Sequence, residues 1–319
     1  MTISSEQTSS KPSFLGDIAG IVFLDKPHGW TSRRAVNEVM RIFSTPGRKR
    51  IKAGHAGTLD PLATGMLPIL LGDATRFAEM GLQAEKRYRV TFDLSYQTDT
   101  LDREGEVCAR FEGVVNRQQV DTAVAGFKGN IDQIPPAYSA IRIDGKRAHE
   151  LARKGKEVAM QARSVTVLEI AVTAFDFPLL TLEASCSKGT YIRSLARDIG
   201  ASLGMGGCVT SLRRLSTGGW PEEMMVTPEL LADQKEACLL PLSQWLREFA
   251  HQRLNGDDIK RFLQGQRIQL KHTETGIQES DVAVFGDDIL LGTGVLKGGM
   301  RHMVLHPAKI MPSAQKQFL

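Results

Sequence analysis

The order of the apolar segments along the chain constrains its fold more than any other feature of the sequence. Short apolar runs typical of buried strands are interspersed with amphipathic segments typical of helices, without a regular β-α-β alternation. This mixture predicts an α+β fold, with a mixed, largely antiparallel sheet and flanking helices. The predicted strands cover residues 20–24, 66–71, 88–94, 165–175, 179–186 and 208–215, and the predicted helices cover 74–82, 116–127 and 191–203.

Turn and capping residues mark the ends of several segments. Pro27 and Gly29 impose a turn after the first strand. Thr31 or Ser32 is then placed to cap a helix whose apolar positions fall within residues 35–43. Asn116 is placed to cap a later helix, and the glycines and prolines of residues 44–61 predict a segment that is mostly loop.

Residues 247–319 show a different pattern from the rest of the chain. Their apolar segments are short, at 267–270, 281–285, 289–296 and 302–305, and turn signals separate them. This pattern predicts a small β-barrel-like domain. We expect its boundary with the larger domain near residues 246–252.

Basic residues are grouped along the chain. The formal net charge is only +4, but residues 41–52 contain five basic and no acidic residues, and residues 142–163 contain seven basic and three acidic ones. A third basic group consists of Lys188, Arg193, Arg197, Arg213 and Arg214. A solvated basic face explains any single group, whereas three groups joined to glycine-containing loops favour contacts with phosphate.

The sequence does not support several common classes of site. The four cysteines form no C-x-x-C pair and the seven histidines show no metal-ligand spacing, so we expect no metal. Neither a Walker loop nor a G-x-S-x-G motif is present. The first 16 residues are unlike a signal peptide and no apolar run is long enough to span a membrane, so we expect a cytoplasmic protein.

Asp60 lies in a segment that is dense in residues with restricted or unusual backbone geometry, residues 55–65 (HAGTLDPLATG). Pro61 favours an extended conformation at Asp60, and Gly57 and Gly65 allow backbone or ligand to approach closely. Such a loop could aim a carboxylate at a substrate. From residue types alone, an aspartate that makes turn hydrogen bonds is the simpler alternative.

Two further segments carry candidate residues. Residues 188–193 (KGTYIR) place Tyr191 and Arg193 at a predicted strand-to-helix junction, where an arginine close to Asp60 would favour the charged carboxylate. Tyr88 lies on a predicted strand. The alternatives, a plain helix N-terminus for residues 188–193 and core packing for Tyr88, stay open at this point.

Five segments, taken in order, resemble a known family. They are 24–32 (LDKPHGWTS), 54–65 (GHAGTLDPLATG), 86–90 (KRYRV), 134–140 (IPPAYSA) and 186–193 (CSKGTYIR). Together they resemble the bacterial tRNA pseudouridine-55 synthases, the TruB family. The resemblance implies the pseudouridine synthase fold. Its expected layout is a disordered tail over 1–16, a catalytic domain over 17–248 with an RNA-binding insertion at 131–163, and a PUA-like domain over 249–319.

The resemblance also implies a reaction. The C1′–N1 glycosidic bond of a uridine breaks, the uracil rotates, and C5 bonds to C1′ to give pseudouridine. Because substrate and product are isomers and no redox change occurs, the implied reaction needs no cofactor, no ATP and no metal.

Residue by residue, the resemblance assigns the catalytic role to Asp60. This aspartate would act either as a nucleophile at ribose C1′ or as a base on the C2′ proton. Arg193 matches the arginine partner of that aspartate. Tyr88 matches a catalytic tyrosine that stacks on the target uracil and takes part in proton transfer at C5.

The remaining matched positions concern substrate binding. Tyr191 and Leu212 match positions of the uracil pocket. His55 matches the residue that fills the place of the flipped-out uridine and supports the other bases of the loop. For Lys26 and Pro27 we favour a structural role, as a turn beneath the loop that carries Asp60.

The implied partner is tRNA, bound through its T arm, with no DNA, no membrane and no obligate protein partner, and we expect a monomer. Two alternatives from other function classes stay open. A non-catalytic RNA-binding or RNA-folding protein would use the same basic surface without Asp60. A base-releasing glycosylase would use Asp60 together with an activated water and would release uracil.

Overall fold

A computed structural model describes residues 18–44, 50–139, 141–143, 146–148, 160–270, 279–298 and 302–319 of the chain. The tail predicted over residues 1–16 lies outside the described residues, as does the part of the predicted insertion at residues 149–159.

Strands outnumber helices in the described part of the chain. The strands of its first part are β1 (Gly20–Lys26), β2 (Ala53–His55), β3 (Thr64–Leu71), β4 (Lys86–Asp93), β5 (Tyr96–Thr98), β6 (Val107–Arg110), β7 (Gly129–Gln133), β8 (Arg142–Ile143), β9 (Lys146–Arg147), β10 (Arg163–Asp176), β11 (Leu179–Cys186) and β12 (Cys208–Thr217). The later strands are β13 (Ala250–Leu254), β14 (Ile268–Leu270), β15 (Ser280–Gly286), β16 (Ile289–Gly298) and β17 (Met303–Ile310). The helices are α1 (Ser32–Phe43), α2 (Ala78–Gln83), α3 (Arg117–Ala125), α4 (Ile192–Ser202), α5 (Pro228–Gln234), α6 (Leu242–Trp245), α7 (Asp257–Leu263) and α8 (Pro312–Phe318).

The larger sheet has the strand order β1-β3-β12-β4-β11-β10-β7, and β2 also pairs with β3. Its pairings are antiparallel except for that of β12 with β3, which is parallel. The sheet is therefore mixed and largely antiparallel, which confirms the predicted α+β fold. Because β12 lies between β3 and β4, it contacts both the strand that follows the Asp60 loop and the strand that carries Tyr88.

Local sequence signals set the ends of the predicted helices. The Thr31 side chain accepts a hydrogen bond from the backbone N–H of Arg34 and caps α1. At α3, Asn116 and Gln119 form a reciprocal capping box. This helix ends slightly before the predicted limit at residue 127. No helix in the described part of the chain is long and apolar enough to cross a membrane.

Two segments differ from the prediction. The helix predicted over residues 74–82 begins as a 3-10 helix, Gly72–Phe77, in which the Thr75 hydroxyl donates to Gly72 O, and continues as α2. The loop predicted over residues 44–61 contains β2, which adds to the sheet by pairing with β3. A strand of three residues is too short to show an alternating apolar pattern, so β2 is recognised only from its pairing with β3.

The smaller sheet has the order β13-β15-β16-β17-β14, with β13 parallel to β15 and the other pairs antiparallel. The predictions included neither β13 nor the helices α7 and α8. An apolar cluster takes side chains from both sheets. Arg76 Nη1 also donates to Ile310 O at 2.7 Å, and Ser313 N donates to Asp73 Oδ2 at 2.7 Å. The PUA-like interpretation and the boundary at residue 248 stay predictions.

Candidate active site

The loop between β2 and β3 carries Asp60 and is held to the N-terminus of α1. The Ser32 hydroxyl donates to Leu59 O at 2.9 Å and accepts from Leu59 N at 2.8 Å. The backbone N–H of Gly29 donates to Pro61 O at 2.8 Å. These bonds fix the residues on both sides of Asp60, so the direction of its carboxylate is set by the fold.

Lys26 supports this loop from the end of β1. Its side chain is fully buried, and Nζ donates to Trp30 O at 2.7 Å, to Pro27 O at 3.0 Å and to Pro61 O at 3.4 Å. Burial lowers the pKa of Lys26 to about 8, although the charge of Asp60 opposes the shift. These carbonyl contacts support the structural role that the sequence suggested for Lys26 and Pro27.

Arg193, in the first turn of α4, forms an ion pair with Asp60. Its Nη2 lies 2.9 Å from Asp60 Oδ2, and its Nη1 lies 3.5 Å from Asp102 Oδ2. The guanidinium also donates to Thr100 O at 2.8 Å and to Tyr138 O at 3.0 Å. The Arg193 side chain is 6% exposed and that of Asp60 is 38% exposed, so a buried cation holds a carboxylate that solvent or substrate can reach.

Asp102 was missed by the sequence reasoning. Its carboxylate accepts hydrogen bonds from Thr100 Oγ1 at 2.7 Å and from the backbone N–H of Glu104 at 3.1 Å, and it pairs with the terminal nitrogen of Arg193 that does not contact Asp60. The preceding residue, Leu101, has a φ of 64°, which is uncommon outside glycine. In the sequence, Asp102 is one polar residue of a turn-rich segment, and nothing local to that segment points to an arginine far along the chain.

Tyr88 and Leu212 lie on neighbouring strands. In the register of β4 with β12, Tyr88 is opposite Arg214 and Val90 is opposite Leu212. Because alternate residues of a strand share a face, these four side chains lie on one face of the sheet. Burial raises the pKa of Tyr88, and the positive charge of Arg214 opposes the rise.

Tyr191 immediately precedes α4 and is clamped through its backbone. Gln133 accepts from Tyr191 N at 2.8 Å with Oε1 and donates to Tyr191 O at 3.1 Å with Nε2. Burial raises the pKa of Tyr191, and the charge of Asp60 acts in the same direction, so its phenol is neutral at physiological pH.

His55 ends β2 and is half-buried. Its Nδ1 atom is buried and has no hydrogen-bond partner among the residues that the structure describes. Burial lowers the pKa of His55, and the positive charges of Arg214 and Arg33 lower it further. The imidazole is therefore uncharged at neutral pH.

The structure brings most of the predicted site residues together around Asp60. Arg193 forms an ion pair with Asp60, and the charge of Asp60 acts on the phenols of Tyr88 and Tyr191. Leu212 joins this group through the face that it shares with Tyr88. The charge of Arg214 acts on His55, and that arginine is opposite Tyr88 in the register of β12 with β4, so it links His55 to the group.

The third basic group of the sequence is not a phosphate-binding surface in the way that we predicted. Arg193 and Arg214 are buried. Arg213 binds the Asp25 carboxylate with two nitrogens, each at 2.9 Å, and Glu222 with its third at 2.8 Å. The predicted phosphate role is therefore wrong for these three residues, because their donors are used within the protein.

Comparison with known proteins places this geometry in a family. The chain matches the model of the TruB family pseudouridylate synthase (N terminal domain) over residues 42–192, and that of the tRNA pseudouridylate synthase B C-terminal domain over residues 193–249. It is 40% identical to tRNA pseudouridine synthase B of Ralstonia pickettii, over 92% of this chain and 95% of the relative. It is also 40% identical to the protein of that name from Pasteurella multocida, over 95% of this chain and 98% of the relative.

A solved structure shares the fold. A chain of the crystal structure of a Cbf5-Nop10-Gar1 complex superposes with a TM-score of 0.68 at 25% identity, covering 92% of this chain and 84% of that chain.

Proposed function

Because the chain belongs to the TruB family of pseudouridylate synthases, we propose that it isomerises uridine to pseudouridine in tRNA, at position 55 of the T-loop. The observation that best supports this proposal is the ion pair of Asp60 with Arg193, in which the arginine is buried and the carboxylate faces outward. A fixed, solvent-accessible carboxylate beside two neutral phenols suits chemistry on a nucleoside inserted from outside.

The reaction requires that the C1′–N1 bond breaks and a C5–C1′ bond forms, while C5 loses a proton and N1 gains one. Asp60 is the proposed catalytic residue, acting at C1′ as a nucleophile or on the C2′ proton as a base. Arg193 holds Asp60 through an ion pair at Nη2 and forms a second, longer ion pair with Asp102 at Nη1. Because substrate and product are isomers, no cofactor enters the proposed mechanism.

The target uridine must leave the folded T-loop to reach Asp60, so the proposed mechanism includes base flipping. Tyr88, Tyr191 and Leu212 would bind the uracil, since two phenyl rings and an aliphatic side chain form a flat pocket in which a base can turn. His55 would occupy the place that the uridine leaves. An uncharged imidazole stacks on bases without introducing a charge between them, which the lowered pKa of His55 supports.

The rest of the interaction with tRNA remains a prediction. We expect the insertion at residues 131–163 to contact the T arm and the smaller sheet to belong to a PUA-like domain. No DNA, membrane or obligate protein partner is expected, and we predict a monomer that acts in the cytoplasm.

One experiment tests the proposal against its alternatives. Wild-type protein and Asp60→Asn are incubated with unmodified tRNA transcript, and pseudouridine is detected by chemical labelling and nucleoside analysis. Asp121→Asn is the matched control, because Asp121 lies on the exposed face of α3 in an ion pair with Arg117. A transcript with cytidine at position 55 controls for the site of modification.

We expect pseudouridine from wild type and from Asp121→Asn, and none from Asp60→Asn. Equal binding of RNA with no product from any variant would leave an RNA-binding or RNA-folding protein as the explanation. Free uracil in place of pseudouridine would identify a glycosylase. Product from Asp60→Asn at the wild-type rate would remove the proposed role of that carboxylate.

A further inference from the structure

Arg214 is a buried cation at the centre of the larger sheet. It is 1% exposed, and it forms no ion pair with a carboxylate in the part of the chain that the structure describes. Its hydrogen bonds go instead to neutral acceptors. Nε donates to Met66 O at 2.6 Å, Nη2 to Gly57 O at 3.2 Å and Nη1 to Thr58 O at 3.4 Å.

A buried guanidinium without a counter-charge is costly. Removing a charged group from water costs several kcal/mol, even after the surroundings relax, and backbone carbonyls recover only part of this. Burial accordingly lowers the pKa of Arg214. An apolar side chain of similar length would fill the same volume without this cost, so packing alone does not account for an arginine here.

The position of Arg214 gives it access to both halves of the candidate site. On β12 it is opposite Gly65 of β3 in the parallel pair and opposite Tyr88 of β4 in the antiparallel pair. The two terminal nitrogens of its guanidinium reach the turn at Gly57 and Thr58, which lies just before Asp60. A planar group with five donors can hold the turn and the phenol together, whereas a single ammonium cannot.

The backbone of the Asp60 loop is adapted to this close contact. Gly57 has a φ of 133°, and a Cβ added there would lie 3.4 Å from Arg214 Nη1. Gly65 has a φ of 96°, and an added Cβ would lie 2.2 Å from Arg214 O. Gly65 therefore permits the approach of the Arg214 backbone, whereas at Gly57 the positive φ, and not the space beside Arg214, favours glycine.

Arg214 and Tyr88 are opposite each other in the register of β12 with β4. A guanidinium donates and never accepts, so in any hydrogen bond between the two side chains the Tyr88 oxygen is the acceptor. The positive charge of Arg214 also favours negative charge on the Tyr88 oxygen, against the larger effect of burial, which raises the pKa of that phenol.

We propose that Arg214 is a positioning residue for the isomerisation: its guanidinium fixes the Tyr88 hydroxyl and the turn that carries Asp60 in one frame. The inference rests on the proposed function. It assigns no contact between Arg214 and the substrate. In this role Arg214 complements Arg193, which holds the carboxylate of Asp60, whereas Arg214 holds the backbone before Asp60 and the phenol beside it.

The test compares two variants with wild type. Arg214→Lys keeps the positive charge but loses the planar guanidinium with its five donors, and Tyr88→Phe removes the hydroxyl. Turnover and KM are measured with unmodified tRNA, and folding is checked by circular dichroism and thermal unfolding. We expect Arg214→Lys to lower kcat about 100-fold, as for the loss of an oriented donor in an active site, and to change KM less than about threefold.

The double variant separates positioning from a general loss of structure. If Arg214 acts through the Tyr88 hydroxyl, the combined loss in Arg214→Lys/Tyr88→Phe should be at least about tenfold smaller than the product of the single losses. A combined loss equal to that product would overturn the inference. Arg213→Lys is the matched control, because Arg213 is the neighbouring arginine of β12 and binds Asp25 and Glu222 outside the site. Its kcat should stay within about threefold of wild type.

Failure of this inference is distinguishable from failure of the proposed function. If wild type forms no pseudouridine, the proposed function fails. If wild type is active and Arg214→Lys matches its kcat, the role of Arg214 fails alone. Should Arg214→Lys not fold, Gly57→Ala disturbs the turn that Arg214 holds, because a φ of 133° is strained for alanine. It should then lower kcat at least about tenfold with KM unchanged, and a wild-type kcat would overturn the inference.

Discussion

Replacement of Arg193 by lysine probes the ion pair with Asp60 without removing the charge. The guanidinium spans two sides of the site: Nη2 lies 2.9 Å from Asp60 Oδ2, while Nη1 lies 2.8 Å from Thr100 O and 3.5 Å from Asp102 Oδ2. An ammonium is a single point with three donors, so Arg193→Lys cannot keep the contacts on both sides. We therefore expect Asp60 to lose its fixed direction.

The kind of contact that is lost sets the size of the expected effect on kcat. Loss of one oriented donor in an active site typically lowers kcat about 100- to 1000-fold. We expect Arg193→Lys to fall in this range, with KM changed less than about threefold, because a 6% exposed side chain offers little surface to the RNA. Arg193→Ala also leaves the Asp102 carboxylate, 7% exposed, without its cation, which should cost about 3–5 kcal/mol of folding free energy.

The assay measures pseudouridine formation under single-turnover and multiple-turnover conditions, RNA binding by filter retention, and unfolding in urea. Arg117→Lys is the control, since Arg117 forms an exposed ion pair with Asp121 on α3, and its kcat should be that of wild type. A wild-type kcat for Arg193→Lys, or an equal loss of RNA binding and turnover, would refute the idea that Arg193 acts by orienting Asp60.

Three further replacements test other parts of the site. Gly65→Ala should lower the free energy of unfolding by more than about 2 kcal/mol, measured in urea, because an added Cβ would lie 2.2 Å from Arg214 O at a φ of 96°. Ser32→Ala should cost about 1–3 kcal/mol of folding free energy and lower kcat, since both Leu59 N and Leu59 O lose the Ser32 hydroxyl. Burial lowers the pKa of Lys86 from its ordinary value of 10.5 to about 8, so the unfolded chain holds the proton longer and wild type gains stability as the pH rises from 8 to 10.5. Lys86→Met should lack this gain, which is about 2 kcal/mol between about pH 7.5 and about pH 9.5, measured by urea unfolding at each pH.

Each of these replacements has a matched control. Gly29 also has a positive φ, 76°, but no atom lies within 4 Å of an added Cβ, so Gly29→Ala should cost less than Gly65→Ala. Ser44 donates to Met40 O at the other end of α1, and Ser44→Ala should leave kcat unchanged. Lys128 is exposed, and Lys128→Met should not alter the pH dependence of stability. Equal effects of a replacement and its control would contradict the reasoning in each case.

The parts of the fold that depend on neighbouring residues were predictable from the sequence. Thr31 and Asn116 cap α1 and α3, as expected from residue type and position, because a cap bonds to a backbone N–H only a few residues away. The strands β3, β10 and β11 also lie where the apolar pattern predicted them. By contrast, β2 and β13 are short strands without a clear apolar pattern of their own, and each is defined by its pairing, β2 with β3 across the Asp60 loop and β13 with β15.

In the candidate site, too, residues within local motifs were predictable, whereas residues whose roles depend on distant partners were not. Asp60 and Arg193 were identified because each lies in a segment that resembles a family motif, and their contact across the chain is present in the structure. Asp102 and Arg214 were missed or misassigned, since their roles depend on partners that no local pattern reveals. No local sequence pattern distinguishes Arg214 from its neighbour Arg213. In the structure, however, the Arg214 side chain is buried beneath the site, whereas the Arg213 side chain binds Asp25.

The residue proposed to react is exposed and the residues that support it are buried, and this difference predicts different effects of replacing them. Asp60 is substantially exposed, while Arg193, Arg214 and Lys26, which hold its side chain or its loop, are buried. Asp60→Asn takes no packing from the core and leaves Arg193 its contacts with Asp102 and Thr100 O, so it should lower turnover and change the free energy of unfolding far less than loss of a buried cation does. Replacement of a buried cation removes supports of the fold and of the catalytic geometry together, so it should affect both quantities. At the buried cations, stability and turnover should fall together. If Asp60→Asn also lowered both in parallel, Asp60 would be a structural residue and the chemistry would lie elsewhere.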